Sequence, residues 1–182
     1  MRLPVLAFAA LLALSPALAQ EEVPAEWPTP EIGQDFAALP DAVQAKRQEL
    51  IAAARSGDIE ALRPIFSAQS RPPNVSFGNP DDPVTYLAGA SADGDGTDIL
   101  GVLVDILEMP YAYYPDNEGG GNYIWPYLAE LDPTALTPEQ KVDAYRLIDA
   151  PTMEQLQQFG GWIYWRAVIN AEGELTAFVA GD

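Results

Sequence analysis

The sequence predicts an α+β fold, a mainly helical single domain with a C-terminal antiparallel β-hairpin in a small sheet. Three observations carry this prediction. Apolar residues recur at helical spacing behind Asp, Thr and Pro start signals between residues 41 and 159. Near the C-terminus, WIYWRAVI and residues 175–179 are aromatic and β-branched, and Asn170-Ala171-Glu172-Gly173 between them suits a four-residue loop with Gly173 left-handed. The chain has 182 residues, 48% of them apolar, which is enough for one real core.

Taken in order, the elements begin with an export signal. Arg2 is a positive start, residues 3–14 (LPVLAFAALLAL) are apolar, Ser15-Pro16 breaks the run, and Ala17-Leu18-Ala19 has the small-x-small pattern of a cleavage site. The apolar run falls short of the roughly 20 residues a membrane-spanning helix needs. Cleavage after Ala19 is expected, giving a secreted or periplasmic chain that starts at Gln20 and has no transmembrane segment. Residues 20–40 (QEEVPAEWPTPEIGQDFAALP) are acidic and proline-rich and read as an extended arm, which Trp27 pins to the domain. Residues 41–182 form the globular domain.

Asp41 is the expected cap of a first helix with Val43, Leu50, Ile51 and Ala54 on one face; Gly57 ends it. Asp58 then caps a second, with Ile59, Leu62, Ile65 and Phe66 inward. Residues 70–96 are turn-rich, with a short strand expected at 75–77 and a helical turn or two at 82–88. Thr97 is the expected cap of a helix running to Glu108. Ile99, Leu100, Val102, Leu103, Val104, Ile106 and Leu107 cover nearly its whole circumference, which predicts a central position, with Asp98, Asp105 and Glu108 as its polar edge. A strand at 111–114, a loop at 116–122 (DNEGGGN) and a helix after Pro126 follow. Thr137, Pro138 and Gln140 spell a capping box for a helix with Val142, Tyr145 and Ile148 inward. Residues 152–159 form another short helix, ended by Gly160-Gly161.

The segments SGDIEALRPIF, DGDGTDILGVLVDIL, YIWPYLAELD, LTPEQKVDAYRL and FVAGD together resemble a group of small uncharacterised exported bacterial proteins, over residues 40–182. That resemblance implies export and a single domain, and no activity. The pair AAARSGDIEALRPIF also resembles the helices that open NTF2-like domains, as well as single helical repeats such as those of ankyrin. No second copy follows, which argues against a solenoid. An NTF2-like cone would imply an interior able to hold a small apolar ligand, but it needs more strands than the two or three visible.

The chain lacks both cysteine and histidine. That excludes disulfides, thiol nucleophiles, Cys- or His-ligated metals and imidazole acid–base chemistry. With 27 acidic and 9 basic residues the net charge is -18, which excludes a phosphate-backbone reader, so no nucleic acid is expected as partner. Lys46 and Lys141 are the two lysines, and neither follows a serine by three residues; G-x-S-x-G, Walker and G-x-G-x-x-G motifs are absent.

Two constellations remain. Asp93, Asp95 and Asp98 sit in DGDGTD, whose alternating acids can wrap calcium with oxygen ligands alone. The EF-hand pattern fails, because Val104 stands twelfth from Asp93 where a bidentate Glu is required, and a solvated loop with a helix cap explains the same residues. The second constellation is aromatic. Tyr111, Tyr113, Tyr114, Tyr123, Trp125 and Tyr127 flank the loop of Asp116 and Glu118, while Trp162, Tyr164, Trp165 and Arg166 lie on the hairpin. Of these, Tyr113, Tyr123, Trp125, Tyr127, Trp162, Trp165 and Arg166 are the candidate ligand-binding residues, against a core role for the same rings.

The resulting expectation is a non-enzymatic exported protein that binds a protein partner or small-molecule ligand, or is associated with the envelope. The alternatives are a carboxylate-based hydrolase of envelope glycan, using acids near Asp116 and Glu118, and a weak calcium-binding protein. No other cofactor is implied.

Overall fold

Successive strand side chains point to opposite faces, so consecutive apolar residues such as Tyr123-Ile124-Trp125 make both faces of the sheet apolar, and such a sheet must be covered on both sides. The computed structural model describes residues 29–116 and 120–181. The leader at 1–19, Trp27 and Glu118 lie outside the described residues. In order, the elements are β1 (Glu31–Gly33), a 3-10 turn (Phe36–Ala38), α1 (Asp41–Ala54), a 3-10 turn (Ile59–Ala61) running into α2 (Leu62–Ser67), α3 (Pro83–Ala90) and α4 (Thr97–Leu107). Then come β2 (Tyr111–Pro115), β3 (Gly121–Trp125), a 3-10 turn (Tyr127–Glu130), α5 (Pro138–Ala144), α6 (Ala150–Phe159), β4 (Arg166–Asn170) and β5 (Leu175–Val179). This is the α+β fold the sequence predicts, built on one five-stranded antiparallel meander in the order β1-β2-β3-β4-β5.

Register decides which residues share a face. Glu31, Tyr113, Tyr123, Ile169 and Leu175 form one rung across the five strands, and Gly33, Tyr111, Trp125, Ala167 and Phe178 lie on the next. Both rungs point toward α1–α4, where Leu50, Leu62, Leu87, Leu103, Ile106 and Leu107 close the larger core. On the opposite face, Ala112 and Ile124 meet Tyr127, Leu128, Ile148, Met153, Leu156 and Trp162 in a second core. The molecule therefore has three layers.

The hairpin forms as expected, with Gly173 at φ +80°. Gly57, at φ +74°, follows the first helix, and Asp82 caps α3 through the Val84 and Thr85 amides. Thr137 and Gln140 make the reciprocal capping box. Residues 98, 105 and 108 face solvent, so the polar edge of α4 is where the periodicity placed it.

Other elements differ for local reasons. Pro40, not Asp41, precedes the first turn of α1; Asp41 makes no capping bond and acts through its charge at the helix N-terminus. Gly96 occupies the same position before α4, with Thr97 one residue inside. The expected strand at 75–77 reduces to a single parallel bridge from Asn74 to Ala177. After Pro126 the chain makes a 3-10 turn rather than a full helix. In α5 the buried residues are Ala144 and, just beyond, Ile148, while Val142 and Tyr145 are 66% and 52% exposed. The inward face of α5 is therefore carried by Ala144 and not by Val142 or Tyr145.

The aromatic run of the hairpin starts late as a strand. The Trp162 indole donates to the Trp165 carbonyl at 3.1 Å, a local turn that delays pairing until Arg166. The described end of the acidic arm is extended and built into the sheet, since Glu31–Gly33 pairs with β2 as an edge strand. Among the described residues no helix is long and apolar enough to cross a membrane.

Candidate functional site

A concavity lies at the β1 edge of the sheet. It is a cleft of about 480 Å³ lined by Glu31, Ile32, Gly33, Gln34, Asp35, Ala38, Tyr111, Tyr113 and Tyr123. Its floor is built by the pleat. Tyr113 and Tyr123 are directly paired across β2 and β3, and their rings stack at 4.6 Å with a 23° interplanar angle. Tyr111, one rung further, meets Tyr123 at 5.7 Å and Trp125 at 5.5 Å. Gly33 is opposite Tyr111, and a β-carbon there would collide with the Tyr111 ring. The missing side chain thus lets the ring lie across the edge strand.

The far wall is the Phe36–Ala38 turn, started by Asp35, whose carboxylate accepts the Ala37 amide at 3.0 Å. The Phe36 ring stands 6.4 Å from Tyr111 and supports it from behind. Tyr113 is fixed by donating its hydroxyl to the Gly120 carbonyl at 2.9 Å. Burial makes the Tyr111 phenol harder to ionise, and the carboxylates of Asp35 and Glu31 add to the effect. Burial, the neighbouring tyrosines and Glu31 push Tyr123 up to about 12. The cleft therefore combines aromatic walls, phenol hydroxyls and two acids.

Of the residues the sequence singled out, Tyr113 and Tyr123 are in this cleft. Trp125 lies behind them, fully buried. Tyr127 is in the second core and donates to Asp143 at 3.0 Å; burial and that bond raise its pKa. Trp162 is buried in that core as well. Trp165 packs on Phe178 at 4.7 Å, and Arg166 donates to the Trp162 carbonyl at 2.6 Å. These five side chains hold the fold and line no common groove with the tyrosines. Asp116 accepts the Gly120 amide at 2.7 Å and so braces its own loop.

The DGDGTD carboxylates are turned toward their own backbone. Asp93 accepts the amides of Asp95, Gly96 and Asp98, Asp95 accepts Thr97, and Asp98 accepts Ala92 and Ile99. Ser91 bridges Asp93 and Asp98 through its hydroxyl. The Ser91 hydroxyl bond and these amides hold the Asp93 carboxyl well below its usual range. Among the described residues no group of three or more acids is arranged to hold a metal ion.

Sequence reasoning missed Glu31, Gln34 and Asp35, because they lie in a segment whose prolines hide its strand. The available signal was Asp35 two residues before Ala37, a start signal for a short turn. No family model, no curated protein and no solved structure matches the chain.

Proposed function

We propose that this chain is an exported, non-enzymatic binding protein that takes a small ligand into the tyrosine cleft at the β1 edge. The observation that carries the proposal is the stacked Tyr113–Tyr123 pair, which lines the cleft beside Tyr111, with Glu31 and Asp35 on the rim. Ligand sites are concave and aromatic, with a few converging polar groups, and span about 300–1,000 Å³. The cleft has that size and composition. Export rests on the leader pattern of residues 1–19, and delivery to the periplasm or exterior follows from it.

The test is thermal unfolding of the chain against calcium, glycan fragments, lipids and small metabolites, repeated with Ala38→Trp. Ala38 is exposed on the cleft wall, so an indole there fills the mouth without entering the core. A ligand at 100 times its Kd should raise the midpoint by about 5–10 °C. Stabilisation that disappears in Ala38→Trp supports the cleft, and stabilisation that survives it overturns the assignment.

A further inference from the structure

We propose that the ligand of the tyrosine cleft is an organic ammonium ion, seated between the Glu31 and Asp35 carboxylates against the tyrosine rings. The inference rests on the binding reading above and names the ligand class. Every residue lining the cleft is acidic, phenolic or neutral, and none is Lys or Arg. Among the described residues, the ion pairs join Lys46 to Glu49, Arg55 to Glu108, Arg63 to Glu60 and Asp82, and Arg146 to Asp143. Neither Glu31 nor Asp35 has a cationic partner there. Two uncompensated carboxylates beside an aromatic wall, in a chain of net charge -18, repel anions and concentrate cations.

The geometry favours an organic cation over a bare metal. A hard metal needs several converging oxygens, and no such group exists among the described residues. An ammonium needs less. It takes one or two carboxylates, a hydroxyl acceptor and an aromatic ring whose quadrupole attracts positive charge. Glu31 is on the same rung and face as Tyr113 and Tyr123. The Tyr111 ring lies against Gly33 on the cleft wall, and its hydroxyl oxygen, which has no hydrogen-bond partner among the described residues, is accessible at the cleft surface. An ammonium N–H or N–CH₃ group placed there meets an oxygen acceptor that the fold leaves unused.

The experiment is a calorimetric and NMR titration with tetramethylammonium and n-butylamine as cations, and tert-butyl alcohol and methyl glucoside as neutral probes. Four proteins are compared: wild type, Glu31→Gln, the double variant Glu31→Gln/Asp35→Asn, and Ala38→Trp. Asn retains the capping oxygen at position 35, and Glu31 makes no described side-chain bond, so unfolding temperatures should stay at the wild-type value. The expected result is cation binding that weakens about tenfold or more in the double variant, partly in Glu31→Gln, and vanishes in Ala38→Trp. Raising salt from 20 to 300 mM should weaken it in wild type. Cation binding that is absent, or equal in wild type and double variant, overturns the ligand class. Neutral probes that bind wild type and double variant alike, yet not Ala38→Trp, overturn the class while leaving the cleft as the site. If no probe responds to Ala38→Trp, the cleft reading itself fails.

Discussion

Arg47 reaches from α1 to the C-terminal end of α4 and donates its Nε–H to the Leu107 carbonyl at 2.7 Å. The same guanidinium lies 3.6 Å from the centre of the Phe36 ring. Arg47 is the buried charged residue of the described chain, 8% exposed. A cation at a helix C-terminus is favoured by the dipole, and here it also satisfies a carbonyl that the helix cannot. Through Phe36 it braces the ring that supports Tyr111, so core and cleft share one charged contact. Arg47→Met should cost about 2–4 kcal/mol in urea unfolding, because the Leu107 carbonyl is left unpaired. Arg47→Lys should fall between, keeping charge near the helix end but losing the planar stack on Phe36. Equal costs for the two variants would show that charge alone contributes nothing and that the planar guanidinium, bonded to Leu107 and stacked on Phe36, carries the contact.

Trp125 presents the opposite case. Its indole is fully buried between Tyr111 and Tyr123, and its N–H has no hydrogen-bond partner among the described residues. The residue therefore stabilises by volume and ring contact and not by its polar atom. Trp125→Ala should cost about 3–5 kcal/mol by leaving a cavity. Trp125→Phe should cost less than half as much, since the indole N–H it removes makes no hydrogen bond among the described residues. Chemical denaturation of both variants decides the matter, and a Phe variant as damaged as the Ala variant would place a hidden acceptor at the indole.

The tyrosines set the alkaline limit. Burial and the facing Glu130 carboxylate push Tyr114 up to about 12, and burial with neighbouring tyrosines and Glu31 does the same for Tyr123. A folded-state pKa above the unfolded value of about 10 means that the native state holds the proton more tightly. That contribution is fully present below pH 10 and is lost as pH rises through about 12. Unfolding free energy measured from pH 9 to 12 should fall over this window, with the 295 nm phenolate signal lagging until the chain opens. Tyr123→Phe should flatten the fall. A normal titration near pH 10 without loss of stability would show these phenols to be solvent-accessible.

How far the fold was legible follows from which signals were local. The capping box at Thr137 and Gln140 and the turn ending in Gly173 are short-range chemistry, and each forms as the residues dictate. The polar edge of α4 is equally local, being one helix read by its own period. What escaped needs a partner from far away in the chain. Glu31–Gly33 has no strand signal of its own and becomes a strand because β2 offers it an edge. The inward face of α5 is set by the core it meets, so Val142 and Tyr145 end outside. The site was half legible for the same reason. Tyr113 and Tyr123 lie close in sequence on strands that pair, whereas their acidic neighbours come from a segment some 80 residues upstream. Nothing local to the aromatic run announces Glu31 or Asp35.

Gly173 offers the sharpest separation of local and tertiary requirements. It has φ +80°, which Gly and, at lower cost than most residues, Asn adopt. A β-carbon there would also lie 2.6 Å from the Ala42 carbonyl oxygen and 2.9 Å from its carbon, in the first turn of α1. Those are backbone atoms and cannot swing aside. Gly57 has nearly the same conformation, φ +74°, and nothing lies within 4 Å of the position its β-carbon would take. The two sites share a conformational requirement and differ in space. Gly57→Asn should therefore be mild, within about 1 kcal/mol, since Asn tolerates this region. Gly173→Asn should cost about 2–4 kcal/mol, because the hairpin loop must lift from α1 before any side chain fits. Thermal or urea unfolding of the pair provides the comparison. Similar costs would mean that the loop is free to move and that the hairpin is held to α1 elsewhere. A large difference would fix the Gly173–Ala42 contact as the point where the β4–β5 hairpin is pressed onto the first helix.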